Sequence, residues 1–164
     1  SNALDYDVYG DNASVTATTN GNSSDIDIQV GTTGGTNGGS DDVTISITNP
    51  GNTNTVGVNV GATESLVDDV NVDIDLTSGS GSNTITVTED STATSILDKT
   101  TDIDIDGSTN TVTVTHSGAS QHDTLLNHTG SSSTLSITQS GAEASTVDVN
   151  TNGSTSSVTI NVSD

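Results

Sequence analysis

The chain has 164 residues, a formal net charge of −21, only 27% hydrophobic residues, and in Lys99 its single Lys or Arg. With no basic cluster to neutralise phosphates, the charge argues against nucleic acid and against anionic membranes, and no stretch is long and apolar enough for membrane insertion. The absence of Cys removes a disulfide framework, so stability has to come from stacking.

Read from the N-terminus, Ser1-Asn2-Ala3 resembles the scar of a cleaved tag, which leaves 4–164 as a single repeat domain. Leu4 to Asn12, with both tyrosines, reads as a cap for one end of the array. Six repeats follow, at about 12–41, 42–69, 70–101, 102–122, 123–145 and 146–164. Each opens on a short alternating segment: Val15-Thr16-Ala17, Val43 to Ile47, Val72 to Leu76, Ile103-Asp104-Ile105, Thr124-Leu125-Leu126 and Val147-Asp148-Val149. Each then carries a block that begins with Ser or Asn and continues polar–apolar–polar–apolar, starting at Ser24, Asn54, Asn83, Asn110, Ser133 and Ser156. The first apolar residues of these blocks are Ile26, Val56, Ile85, Val112, Leu135 and Val158, spaced by 30, 29, 27, 23 and 23 residues.

Strict alternation of Val, Ile and Leu with polar residues is a strand pattern. A period of 20–50 residues is the signature of a solenoid or array. The predicted fold is therefore all-β: a β-solenoid of about six strand–turn–strand rungs forming two parallel sheets across a thin core, roughly 29 Å long at ~4.8 Å per rung. Gly, Asn and Ser fill the turns, where they supply positive φ and side-chain-to-backbone bonds. Pro50, the only proline, falls in such a turn. The connections between repeats shorten after the third, and Leu66-Val67 and Ile96-Leu97 lie within the long ones, placed to cover the solenoid side or a partner. No segment reads as a convincing helix.

Ser133-x-Leu135-x-Ile137-x-Gln139-x-Gly141 is similar to the first half of the curlin repeat, the unit of the bacterial amyloid curli. Asn110-x-Val112-x-Val114-x-His116-x-Gly118 follows it with His for Gln, and Asn127 and Asn150 stand where a second Gln or Asn is expected. The resemblance covers residues 103–164 well and the first half weakly. It implies a β-solenoid able to join end to end.

Counting two past the second apolar residue of each block gives an inward column: Val30, Val60, Glu89, His116, Gln139 and Val162. Glu89, His116 and Gln139 then form an inward polar column, acceptable in a core only when paired and hydrogen-bonded. His116, His122 and His128 stand six apart. They fall at a strand end, in a connection and after the next strand, so the spacing gives no reason for them to converge on a metal. Thr84, Thr86, Thr111, Thr113, Thr134, Ser136 and Thr159 would form an outward hydroxyl array like the Thr-x-Thr face of ice-binding β-solenoids. Thr is also the polar residue best suited to strands. Asp73, Asp75, Asp104 and Asp106 alternate with apolar residues, and like charges on adjacent rungs repel unless screened or bridged by a cation. They are the candidate metal ligands, and Ca²⁺ is the one cofactor suggested.

No catalytic or cofactor-binding residue stands out. A glycan hydrolase would pair carboxylates with aromatic platforms, which are missing, so the chain reads as no enzyme. The reading that remains is a structural, self-associating repeat protein of an extracellular fibre, biofilm matrix or virion surface. The alternative is an ice-binding or calcium-dependent adhesive module. The C-terminal rung is expected to be an open edge that favours pairing through the ends or sides of the solenoid.

Overall fold

The computed structural model describes residues 2–8, 14–20, 22–30, 43–49, 51–60, 70–77, 81–91, 98–118, 121–141, 145–154 and 156–163. Pro50, Leu66-Val67 and Ile96-Leu97, with most of the long connections that hold the last two pairs, lie outside these residues. The strands are β1 (Asn2–Val8), β2 (Ser14–Thr18), β3 (Ser23–Val30), β4 (Val43–Thr48), β5 (Thr53–Val60), β6 (Val70–Leu76), β7 (Thr84–Ser91), β8 (Asp98–Asp106), β9 (Thr111–Gly118), β10 (Gln121–Thr129), β11 (Thr134–Ser140), β12 (Thr146–Asn152) and β13 (Ser157–Ser163). Among the described residues there is no helix.

Odd-numbered strands form a seven-stranded sheet in the order β1-β3-β5-β7-β9-β11-β13, and even-numbered strands a six-stranded sheet in the order β2-β4-β6-β8-β10-β12. Neighbouring strands pair in parallel throughout. Each even strand turns into the odd strand that follows it, so the chain builds six strand–turn–strand rungs, with β1 as an added seventh strand of the odd sheet. This is a β-solenoid with two facing parallel sheets.

The alternation explains the core. In a strand successive side chains point to opposite faces, so the Val, Ile and Leu positions stack into columns. Ile26, Val56, Ile85, Val112, Leu135 and Val158 are consecutive partners in register. All but Val158 are buried. The facing column of the even sheet runs Ala17, Ile47, Ile74, Ile103, Leu126 and Val149. Further columns run beside these, such as those of Ile28 and Val30 in the odd sheet and Val70 and Val72 in the even one. This thin core is enough because each rung is covered above and below by the next.

The turns are held by their own stack. Asn54 Nδ2 donates to Asn83 Oδ1 at 3.0 Å, Asn83 Nδ2 donates to Asn110 Oδ1 at 3.2 Å, and the Asn110 N–H donates to Ser133 Oγ at 3.2 Å. The backbone N–H groups of Asn54 and Asn83 also donate to the amide oxygen of the next rung. These residues are the first positions of the repeated blocks, and all four are buried. The turn is also too tight for a side chain: a Cβ at Gly130 would lie 1.8 Å from the Gly107 carbonyl oxygen one rung away.

Three boundaries differ from the sequence reading. β8 begins at Asp98 and β10 at Gln121, where connections reaching to residues 102 and 123 were expected. Lys99, Thr101 and His122 therefore belong to strands and point inward, all buried. Asn2 and Ala3, assigned to a scar, extend β1 and pair with Ser24 and Asp25. The Leu4–Asn12 segment meets the sheet as a parallel strand, β1, over Leu4 to Val8.

Candidate functional site

The core is not apolar throughout. Near the end of β7, Glu89 occupies the column of Val30 and Val60, and pairs in register with His116 of β9, which pairs with Gln139 of β11. The opposite sheet contributes two columns at the same level. Val70 of β6 gives way to Lys99 of β8 and His122 of β10, and Val72 to Thr101 and Thr124. All seven polar side chains are buried. Five strands, β7 to β11, thus enclose a polar inclusion within a β-branched core.

Its contacts are specific. Glu89 Oε2 lies 3.2 Å from His116 Nε2. The Thr101 hydroxyl lies 3.0 Å from Glu89 Oε1 and 3.2 Å from His116 Nε2. Gln139 Nε2 lies 3.4 Å from His116 Nδ1, and donates to Thr124 Oγ1 at 3.1 Å and to the His122 carbonyl at 3.2 Å. The His116 and His122 rings sit 4.7 Å apart, centroid to centroid. His122 leaves both ring nitrogens without a hydrogen-bond partner, and Gln139 Oε1 has none. Glu89 Oε2 has no partner beyond the His116 contact.

Burial sets the protonation states. It pushes Glu89 up to about 8, against the Thr101 hydrogen bond and the nearby Lys99 charge, both of which pull it down. It lowers His116 to about 3, helped by His122 and Lys99, and His122 to about 4, helped by Lys99 and opposed by Asp123. The Glu89–His116 contact near neutral pH is therefore a hydrogen bond between neutral groups rather than an ion pair. His128 stands apart, further along β10 beside Ile105. Its Nε2 meets Ser133 Oγ at 2.7 Å, which ties it to the turn ladder; burial lowers its pKa, with Asp106 opposing.

The three histidines thus do not behave as one set. His116 and His122 converge, although the spacing gave no reason for it, and His128 does not join them. The inward placing of Glu89, His116 and Gln139 follows from counting along the blocks. Lys99, Thr101, His122 and Thr124 were missed as parts of the cluster, because polar residues at inward positions erase the alternation that marks a strand. The signal available was register: Lys99 and His122 are 23 apart, like Thr101 and Thr124.

Outside, the two sheets differ. On the odd sheet Thr84, Thr111 and Thr134 are consecutive partners, as are Thr86, Thr113, Ser136 and Thr159. Gly57 and Asp27 occupy the same row on earlier rungs. On the even sheet Asp73 pairs with Asp102 and Asp75 with Asp104. Asp106 lies two residues beyond Asp104, next to Thr129. Asp102, missed as a member of this set, has its pKa raised by partial burial and by Asp104 and Asp73. The Asp75–Asp104 row ends in amides: Asn127 Nδ2 donates to Asp104 Oδ1 at 2.8 Å, and Asn150 Nδ2 donates to Asn127 Oδ1 at 3.1 Å.

The chain matches no protein-family model, no curated protein and no solved structure. The fold itself defines the class: an all-β solenoid repeat protein with ordered outer faces and a closed polar inclusion in its core.

Proposed function

We propose that this chain is a non-enzymatic structural repeat protein that assembles with copies of itself, in an extracellular fibre, a biofilm matrix or a virion appendage. The observation that carries the reading is the state of β13. Its inward residues Val158, Ile160 and Val162 are 42%, 45% and 55% exposed, although they continue columns that are buried elsewhere. At the opposite end of the same sheet, β1 presents Leu4, Tyr6 and Val8 in those same columns, with Tyr6 50% exposed.

A second copy could thus lay β1 on β13 in parallel, with Leu4 over Val158, Tyr6 over Ile160 and Val8 over Val162. Outward, Asp5 and Asp7 would then face Thr159 and Asn161, so the joint sets no carboxylate against another. Parallel edge pairing of this kind is how exposed strands recruit other chains. The even sheet is one strand shorter, so such a joint leaves it a one-strand gap and rests on the odd sheet alone. The net charge of −21 opposes it further. The curlin resemblance and the cation-poor composition support the extracellular setting. The closed polar cluster supports the non-enzymatic reading, since its groups offer a substrate no exposed atom to meet.

Light scattering across protein concentrations tests this. Association that strengthens with added salt or Ca²⁺, which screen or bridge the aspartates, is the expected result. A monomer under all these conditions would reject self-assembly.

A second reading is favoured by the register of the outward hydroxyls. Four strands hold Thr or Ser side by side, ~4.8 Å apart across strands and ~6.7 Å apart along them, a lattice suited to ordered water. Thermal hysteresis that disappears in Thr113→Lys would identify an ice-binding face.

A further inference from the structure

We propose that Glu89, His116 and His122 form a buried site for a transition-metal dication of the Zn²⁺ class. The three side chains come from three strands in two sheets. Each offers one ligand atom, and these atoms lie within 4.8 Å of one another. Tetrahedral ligands at roughly 2.0–2.1 Å from zinc stand about 3.4 Å apart. Glu89 Oε2 and His116 Nε2, 3.2 Å apart, already have that spacing. A turn of the His122 ring closes the third side. Thr101 Oγ1, 3.2 Å from His116 Nε2, is placed to fill a fourth position.

The independent observation is the set of unanswered atoms. Buried polar groups in native folds nearly always find a partner, and an unpaired one costs about 1–3 kcal/mol. Here His122 Nδ1 and Nε2 have no partner, and Glu89 Oε2 has only His116. All three residues are fully buried. A dication answers these atoms together. Two imidazoles and one carboxylate select zinc or cobalt over calcium and magnesium, which take oxygen ligands. Burial also keeps both imidazoles neutral at pH 7, the form that donates a lone pair, while Glu89, protonated at that pH, releases its proton to solvent as the ion binds. With no open side, such a metal is structural: it ties β7, β9 and β10 together across the core.

Lys99 is the competitor. It is buried beside His122 in register, and its charge is close enough to lower the pKa of Glu89 and of both histidines. It supplies positive charge to this inclusion without a metal and opposes a dication entering it. Removing that charge is therefore expected to tighten metal binding.

The test is refolding of the full chain with Co²⁺ or Zn²⁺, because a closed core loads during folding. Wild-type protein is expected to retain one ion per chain through gel filtration, and bound Co²⁺ is expected to show the visible absorption of a low-coordinate site with imidazole ligands. His122→Gln should weaken retention at least ~10-fold, and Lys99→Met should strengthen it. Wild type and Lys99→Met both emerging without metal would overturn the site. So would retention undiminished in His122→Gln, since the ion would then sit on the surface aspartates. If a variant fails to fold, the wild-type cobalt spectrum still decides: imidazole ligation supports the site, and an all-oxygen spectrum rejects it.

Discussion

Glu89, His116 and His122 make stability depend on pH in opposite senses. The folded chain holds His116 near 3 and His122 near 4, against 6.5 for a free imidazole. Below pH 6.5 the unfolded chain therefore binds more protons, and stability falls as the pH drops towards those values. Glu89 acts in reverse, with a folded pKa of about 8 against 4.5. Its contribution is complete below pH 4.5 and is lost as the pH rises to about 8. Among these three groups, two imidazole protons outweigh one carboxyl proton between 4.5 and 6.5, and above 6.5 Glu89 dominates. Metal-free protein, kept so with a chelator, is thus expected to melt highest around pH 6.5. Glu89→Gln should flatten the alkaline side and steepen the acid side, since Glu89 opposes the imidazoles from pH 4.5 upward. Melting temperatures recorded from pH ~5 to ~8.5 check this, and a Glu89→Gln curve parallel to wild type would contradict it. Three of the seven cluster residues were legible in the sequence. Glu89, His116 and Gln139 extend apolar columns by simple counting, whereas Lys99, Thr101 and His122 sit where polar residues hide the strand.

The rung is held at its turn as much as in its core. Ser or Asn heads every block in the sequence, yet its role shows only in three dimensions, where the Asn54, Asn83 and Asn110 amides bond from rung to rung. Asn110 Oδ1 accepts from both the backbone and the side chain of Asn83, and Asn110 Nδ2 donates to the Gly107 carbonyl at 3.0 Å. Asn110→Ala leaves these buried groups unanswered, at about 1–3 kcal/mol for each one left unpaired. Asn110→Ser is expected to cost less, because Ser133 already fills the equivalent place one rung on and accepts the Asn110 N–H through its hydroxyl. Denaturant melts of the two variants compare them directly, and equal losses would mean that the ladder contributes shape but no hydrogen-bond energy. The strands themselves were legible because Val, Ile and Leu alternate cleanly. Their ends were not: β8 and β10 begin several residues early because register with a neighbouring rung, rather than local pattern, continues them.

At the scale of the whole molecule, what matters is position along the stack. Val112 and Val158 belong to one column, joined through Leu135, yet Val112 is fully buried and Val158 is 42% exposed. A carboxylate at Val112 would be enclosed by Ile85 and Leu135 on adjacent strands, with no cation beside it in the column. An unpaired buried charge costs roughly 3–5 kcal/mol, a large share of the total for a chain of this size. Val112→Asp is therefore expected to unfold the solenoid or lower its melting temperature sharply. The same change at Val158 meets water on its open side, so the fold should survive with a near-normal circular dichroism spectrum. What Val158→Asp should lose is the joint, since its new carboxylate would face Leu4 of the next copy. The pair separates folding from assembly, because the two residues share one column while Val112 is enclosed and Val158 is exposed. Light scattering of Val158→Asp in high salt should show monomers where wild type associates. If Val158→Asp associates as wild type does, the contact between copies lies on a solenoid side, not on β13. An unchanged melt for Val112→Asp would mean that the apolar columns are not the core.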